Sequence, residues 1–301
     1  MFHGWSFTAG GLTRVTFDTS AHNRLVKDGS CSEATLAGIK SGQFFRFAGL
    51  SIEELVATRD PTMRAALFAS CARLQSGPND CLYPQNELIR LLIVDHFKNP
   101  LAFNWTTVNV RAWEYEDEIR RRNFVNDQEL TIVQGREFKD RKTDYKQTFS
   151  KGRLRTQEIF ENYREAPPAT LREVISQLQN ADAAFIWSIG KGLYDRGAKT
   201  DATEATVKQF MDLCPPFRAL IYAMVMSWYN FSVRDPNVGE RFSAGANDQF
   251  MSIYLPYCDK FVTAEKKGEQ ERCLRELALV ANITTAILSY DDFYNSFLVT
   301  I

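Results

Sequence analysis

Apolar and polar residues follow two rhythms along this chain. Near the start, Thr13-Arg14-Val15-Thr16-Phe17 alternates, with Val15 and Phe17 as its apolar members, and predicts a buried strand ending on Asp18. A helix is expected from Ser20 through Val26, with Ser20 as its N-cap. Phe44-Phe45-Arg46-Phe47-Ala48 reads as a second, aromatic-rich strand. Ser51 followed three residues later by Glu54 fits a capping box. Pro61 and Pro84 each open a further helix at its first turn. From about Trp105 to Asp235 the rhythm becomes helical, with long runs over Leu171–Tyr194 and Ala202–Phe231, punctuated by Pro167-Pro168 and Pro215-Pro216. After Pro236 the alternation of strand and helix returns. Asp248–Leu255 reads as a helix, Lys260–Thr263 as a strand, Glu265–Asn282 as a helix and Thr285–Tyr290 as a closing strand. Strand and helix alternate at both ends and the middle is all helix. This order predicts one α/β domain made of residues 1–104 and 239–301, an open, mainly parallel sheet flanked by helices, interrupted by an all-helical insertion over 105–238.

Composition narrows the function classes. The chain has 301 residues, 45% hydrophobic and 24% charged, the balance of an ordinary folded protein and not of a disordered one. Its net charge of −1 excludes a globally basic molecule, so any surface for nucleic acid must be local. The longest apolar run, Ala219–Tyr229, falls short of the ~20 residues a membrane span needs. The start lacks the pattern of a signal peptide, and a cytoplasmic location is expected. The six cysteines form no CxxC pair and face no histidine cluster, so they read as buried free thiols. Neither a GxxxxGK[ST] loop nor a GxGxxG after a strand is present, so nucleotide-dependent chemistry finds no support.

Acids stand where the strands end. Open α/β sheets bind ligands outside the carboxyl ends of their strands. Carboxylates gathered there commonly hold a hard divalent cation. Three stretches carry a resemblance to the PIN-like nuclease domains. Phe17-Asp18-Thr19-Ser20-Ala21-His22-Asn23-Arg24-Leu25 is similar to that family's opening strand and first metal-binding acid. Leu50-Ser51-Ile52-Glu53-Glu54-Leu55 resembles its second element. Asp248, with Tyr257-Cys258-Asp259-Lys260-Phe261-Val262-Thr263, resembles the third acid and the strand ending in threonine. The family usually has an aspartate just after that threonine, where this chain has Ala264-Glu265. The resemblance covers roughly residues 10–100 and 240–301, and the central helices have no counterpart in it.

The resemblance implies a nuclease that hydrolyses phosphodiesters with water activated by Mg²⁺ or Mn²⁺. Asp18, Glu54, Asp248 and Glu265 would be its catalytic, metal-binding acids, and Ser20, Asp259 and Thr263 would support them. Each position also has a plain structural reading. Asp18 and Asp248 would suit helix caps, and Glu54 the capping box. Glu265 would suit a helix first turn, Asp259 a turn, Thr263 a strand end and Ser20 an N-cap. Glu53 and Glu54 point about 100° apart on a helix, so only one can face a site.

One basic segment stands out. Gln134–Arg155 carries Arg136, Lys139, Arg141, Lys142, Lys146, Lys151, Arg153 and Arg155 against three acids, with Phe138, Tyr145 and Phe149 interleaved. Basic residues among aromatics suit phosphate contacts plus base stacking, and a solvated face is the plain alternative. The expected substrate is RNA before DNA, in a toxin, defence or RNA-processing role, with a regulatory protein partner and a homo-oligomer both open. The competing readings are a catalytically weak PIN-like domain that binds nucleic acid or protein, and an unrelated α/β domain in which these acids are caps.

Overall fold

The computed structural model describes residues 11–28, 33–77, 80–121, 133, 135–137, 140, 159–160, 170–181, 183–229, 250–265 and 269–298. Four parallel strands form its sheet: β1 (Thr13–Phe17), β2 (Gln43–Phe45), β3 (Lys260–Thr263) and β4 (Ala286–Ser289), in the order β2-β1-β3-β4. The register sets Phe17 opposite Val262 and Val262 opposite Leu288. Chain order therefore reverses at β1, with β2 on one side and β3 on the other. The crevice outside the carboxyl ends of β1 and β3 is the switch point of the sheet, the place such folds use for ligands.

Helices cover both faces. On one side lie α1 (Thr19–Lys27), α2 (Glu33–Lys40), α3 (Gly49–Val56), α4 (Pro61–Leu74) and, from the far end of the chain, α12 (Tyr290–Leu298). Their apolar residues join Val15, Phe17 and Val262 in one core. Phe17 meets Phe45 and Phe293 edge-on at centroid separations of 5.3 and 5.2 Å, so the end of β1 is clamped by aromatic contacts worth about 0.5–1.5 kcal/mol each beyond burial. On the other face, Phe261 and Ile287 join a larger core. It is built from α5 (Gln85–Lys98), α7 (Leu171–Ala181), α8 (Ala183–Ala198), α9 (Glu204–Leu213), α10 (Pro215–Tyr229), the 3₁₀ segment Met251–Tyr257 and α11 (Glu269–Val280). Helix α6 (Trp113–Arg121) packs beside α4. Helix α10 is buried nearly all round, which explains why it is apolar on every side.

Several local expectations need correction. Asp18, not Ser20, caps α1, because its carboxylate accepts the Ala21 N–H. There is no capping box at Ser51. Helix α3 starts at Gly49, three residues ahead of the Ile52 start that such a box implies, and its N-cap Ala48 makes no side-chain hydrogen bond. Close packing decides that start: a Cβ on Gly49 would lie 2.4 Å from Pro84 N and 2.6 Å from Leu82 O. Of the expected strand over 44–48, Phe44 and Phe45 pair with β1, as does Gln43 ahead of them, and Phe47 makes an isolated bridge to Cys81. As its Pro215-Pro216 punctuation predicts, the run that starts at Ala202 is broken at Cys214 into α9 and α10, its last two residues lying outside the described ones. Helix α11 begins at Glu269, and β4 ends at Ser289 so that Tyr290 opens α12. Pro61 does open α4 behind an Asp60 cap, and Cys71, Cys81, Cys214, Cys258 and Cys273 are buried free thiols. No described helix is long and apolar enough to cross a membrane.

Arg218, on α10, ties together the C-terminal ends of α9 and α11. Its guanidinium donates to Ala281 O at 2.8 Å, after α11, and to Met211 O and Asp212 O at 3.0 and 3.1 Å, near the end of α9. A cation suits the negative ends of both helices. Arg218→Met is expected to lower stability by about 2–3 kcal/mol, because two half-buried carbonyls, Ala281 O and Met211 O, lose their charged donor. A urea denaturation midpoint within error of wild type would rule this out.

Candidate functional site

Asp18 is the centre of a polar network at the switch point. The register of β1 against β3 puts it beside Thr263, although 245 residues separate them. Its side chain is buried, 3% exposed. Oδ1 accepts the Ala21 N–H at 2.7 Å, and Oδ2 accepts the Thr263 hydroxyl at 2.7 Å. Ser20 Oγ lies 2.8 and 2.9 Å from the two carboxylate oxygens and gives its single proton to them. Ser20 Oγ in turn accepts the Ala264 N–H at 2.8 Å, tying the end of β3 to α1. Burial is the largest influence on Asp18 and pushes its carboxyl up to about 6. The Ala21, Thr263 and Ser20 hydrogen bonds oppose that rise, and the charge of Glu54 adds to it.

Glu54 reaches the same place from α3. Its Oε2 accepts the Thr19 hydroxyl at 2.5 Å, so consecutive residues at the start of α1 hold one carboxylate and bind the other. Glu53 points elsewhere and accepts the Tyr115 hydroxyl at 3.4 Å. Glu265, just past β3, turns its Oε2 to the Gln270 N–H at 2.6 Å and so satisfies the first turn of α11. Its own N–H points at Thr263 Oγ1, 3.4 Å away. The structure thus gathers Asp18, Ser20, Glu54, Thr263 and Glu265 around the carboxyl ends of β1 and β3.

It places others apart. Asp259 sits at the opposite end of β3, where it takes Arg14 Nη2 at 2.5 Å, Nε at 3.1 Å and the Arg14 N–H at 2.8 Å. Arg14 holds the Asp259 carboxyl below its ordinary range. This pair fastens the start of β1 to β3 and is remote from the switch point. Asp248 lies outside the described residues, as do Lys139, Arg141, Lys142, Lys146, Lys151, Arg153 and Arg155 of the basic segment. Arg136 is described and exposed. A methyl group on its neighbour Gly135 would come within 3.8 Å of Ala57 Cα, so this stretch runs past the C-cap of α3, the helix that carries Glu54.

Two residues of the network escaped sequence reasoning. Thr19 stands next to Asp18 in the Asp-Thr-Ser triplet, and that adjacency could have pointed to it. Gln270 is buried, with its Oε1 3.0 Å from Thr263 Oγ1, and nothing local distinguishes it from any polar residue in a helix first turn. The two described histidines are structural. His22 is buried against Phe17 and Phe47, and burial lowers it to about 4. His96 meets the Tyr194 hydroxyl at 2.8 Å inside an aromatic cluster.

The donor set suits a hard cation. Carboxylates and hydroxyls are oxygen ligands, the kind such an ion takes. Among the described residues no three or more acidic, histidine or cysteine side chains stand close enough together to cage a metal. Mg²⁺ commonly takes only one or two carboxylates and keeps several waters. Glu54 Oε2 accepts the Thr19 hydroxyl and Glu265 Oε2 the Gln270 N–H, so both carboxylates present oxygen donors near the ends of β1 and β3.

Fold and network together define a mixed α/β protein with a four-stranded, all-parallel sheet and an acid-and-hydroxyl cluster at its switch point. Comparison with protein-family models, curated proteins and solved structures finds no match.

Proposed function

We propose that this chain is a metal-dependent nuclease of PIN-like type, acting on RNA before DNA. The observation that supports the reading is the placing of Asp18 and Glu54 near the end of β1, with three hydroxyls bonded to them, and of Glu265 just past β3. A bound Mg²⁺ or Mn²⁺ would lower the pKa of an attacking water and offset the charge gathering on the phosphate. Asp18 and Glu54 would hold it, with Glu265 reaching it directly or through water. Thr19, Ser20 and Thr263 keep those carboxylates fixed before substrate arrives, which spares reorganisation during the reaction. Asp248, in the chain segment just before the 3₁₀ turn, is the further acid proposed to complete the set.

The basic segment is proposed to guide the polyanion, since Gly135-Arg136 passes the end of the helix carrying Glu54. Arg141, Lys142 and Lys146 changed together to glutamate are expected to weaken RNA binding. The slope of log affinity against log salt should fall by about 0.7 per lost contact to single-stranded RNA. If affinity and slope both stay put, this segment is only a solvated surface.

A second reading has one observation in its favour. The Asp18 carboxylate already receives the Ala21 N–H and two hydroxyls, as a purely structural cap would. The chain would then be a binding module on the same sheet. Incubating the purified protein with single-stranded RNA and Mn²⁺ separates the two. Cleavage that stops with chelator and is lost in Glu54→Gln is the expected result. A folded wild-type protein that cuts neither RNA nor DNA with either cation would leave the binding module.

A further inference from the structure

We infer that Gln270 is a positioning residue for the proposed cation site, acting on Asp18 through the Thr263 hydroxyl. This rests on the cation-site reading above. Thr263 Oγ1 has one proton to give and lies between two acceptors, Asp18 Oδ2 at 2.7 Å and Gln270 Oε1 at 3.0 Å. The bond to an ionised carboxylate is the shorter and stronger of the two, so the proton goes to Asp18. Two oxygens 3.0 Å apart with no proton between them repel. A half-turn of the Gln270 amide, whose oxygen and nitrogen are interchangeable in shape, turns Nε2–H toward Thr263 and removes that repulsion. The chain then runs from the Gln270 amide to the Thr263 hydroxyl to the Asp18 carboxylate, each bond polarising the next.

Gln270 is well placed for this role. It is buried, and its backbone N–H holds the Glu265 carboxylate at 2.6 Å. One residue in the first turn of α11 therefore touches the supports of two of the proposed ligands. An apolar side chain would fill the same space but remove the donor that polarises the Thr263 hydroxyl toward Asp18. Residues that orient metal ligands in this way typically change cation affinity by about 10–100-fold when removed.

A double-mutant cycle read by Mn²⁺ titration calorimetry, with thermal unfolding as the check on folding, tests the relay. Gln270→Leu is expected to weaken Mn²⁺ binding about tenfold in the wild-type background and to have no further effect in a Thr263→Val background. Equal losses in both backgrounds, or none in either, overturn the inference. Gln270→Met, unbranched and of similar length, replaces the leucine variant if that one fails to fold. The Gln270 side-chain NH₂ resonance in a ¹⁵N spectrum gives a reading free of metal. It should shift markedly on Thr263→Val, and an unmoved resonance also overturns the relay. A wild-type protein that binds no Mn²⁺ while this resonance does shift would instead fell the cation-site reading and leave the relay standing.

Discussion

Asp18→Asn is expected to abolish cation-dependent cleavage while leaving the protein folded. Asparagine keeps the shape of the side chain and can still accept the Ala21 N–H, and the Ser20 and Thr263 hydroxyls can rotate to suit an amide. What it removes is the charge that would hold the cation. A metal supplies several kcal/mol of transition-state stabilisation, so the loss in rate should be on the order of a thousandfold or more. Wild-type cleavage rates from folded Asp18→Asn protein would exclude Asp18 as a ligand.

The same substitution should change the pH dependence of stability. Unfolded, the Asp18 carboxyl titrates near 3.8, and folded near 6, chiefly through burial. Between these values the folded state holds the extra proton. Its stabilising contribution is complete below the lower value and is lost as pH rises through the upper one. The wild-type protein gives up as much as about 3 kcal/mol across that window through this residue, which the asparagine variant would not. Asp80, also lifted to about 6 by burial, adds a slope of the same sign. His22, lowered to about 4, adds one of the opposite sign. Asp18→Asn should therefore be at least as stable as wild type at pH 7, and its stability should fall less between pH 4 and 6. Urea denaturation at three pH values measures this, and an unchanged slope would show that Asp18 is ionised in the folded protein throughout. A position that costs stability and supports activity is what a functional carboxylate looks like.

Gly49→Ala is expected to be the most damaging single-methyl change in the α/β layer. The added Cβ would sit 2.4 Å from Pro84 N and 2.6 Å from both Leu82 O and Tyr83 C. These are backbone atoms and cannot step aside as a side-chain tip could. Leu50 N, the next residue, is held by the Tyr254 hydroxyl, which itself donates to Tyr83 O, so the whole junction would have to move. The expected loss is about 3 kcal/mol or more. Because α3 carries Glu54, its displacement should also break the bond from Thr19. A Gly49→Ala protein with wild-type denaturation and wild-type cation affinity would contradict the packing argument on both counts.

Local rules made much of the scaffold legible. The alternation around Val15 and Phe17 gave β1, and Lys260–Thr263 gave β3, because a half-buried or buried strand has to place apolar residues at a period of two. Pro61 marked the start of α4, since a residue without an N–H suits the first turn of a helix. Free, buried cysteines followed from their spacing. That acids stand at strand ends was visible too, and it is this feature that made Asp18 a candidate.

What the sequence could not settle are the relations between segments far apart in the chain. The order β2-β1-β3-β4 and the pairing of Phe17 with Val262 decide that Thr263 meets Asp18 and that Asp259 meets Arg14 at the other end. Both are polar residues flanking the same short strand, and only the direction of that strand separates the site from the fastening. The start of α3 likewise lies ahead of the one Ser51 and Glu54 predict: the helix begins at Gly49, where only a residue without a Cβ fits against Tyr83-Pro84 of a distant segment. Gln270 gave no signal at all: its burial and its bond to Thr263 exist only once α11 packs across the end of β3. Sequence periodicity is fixed by contacts within a few residues, whereas register and packing are fixed by contacts across the whole chain. The elements were therefore readable one at a time, and the place where they converge was decided by the tertiary structure.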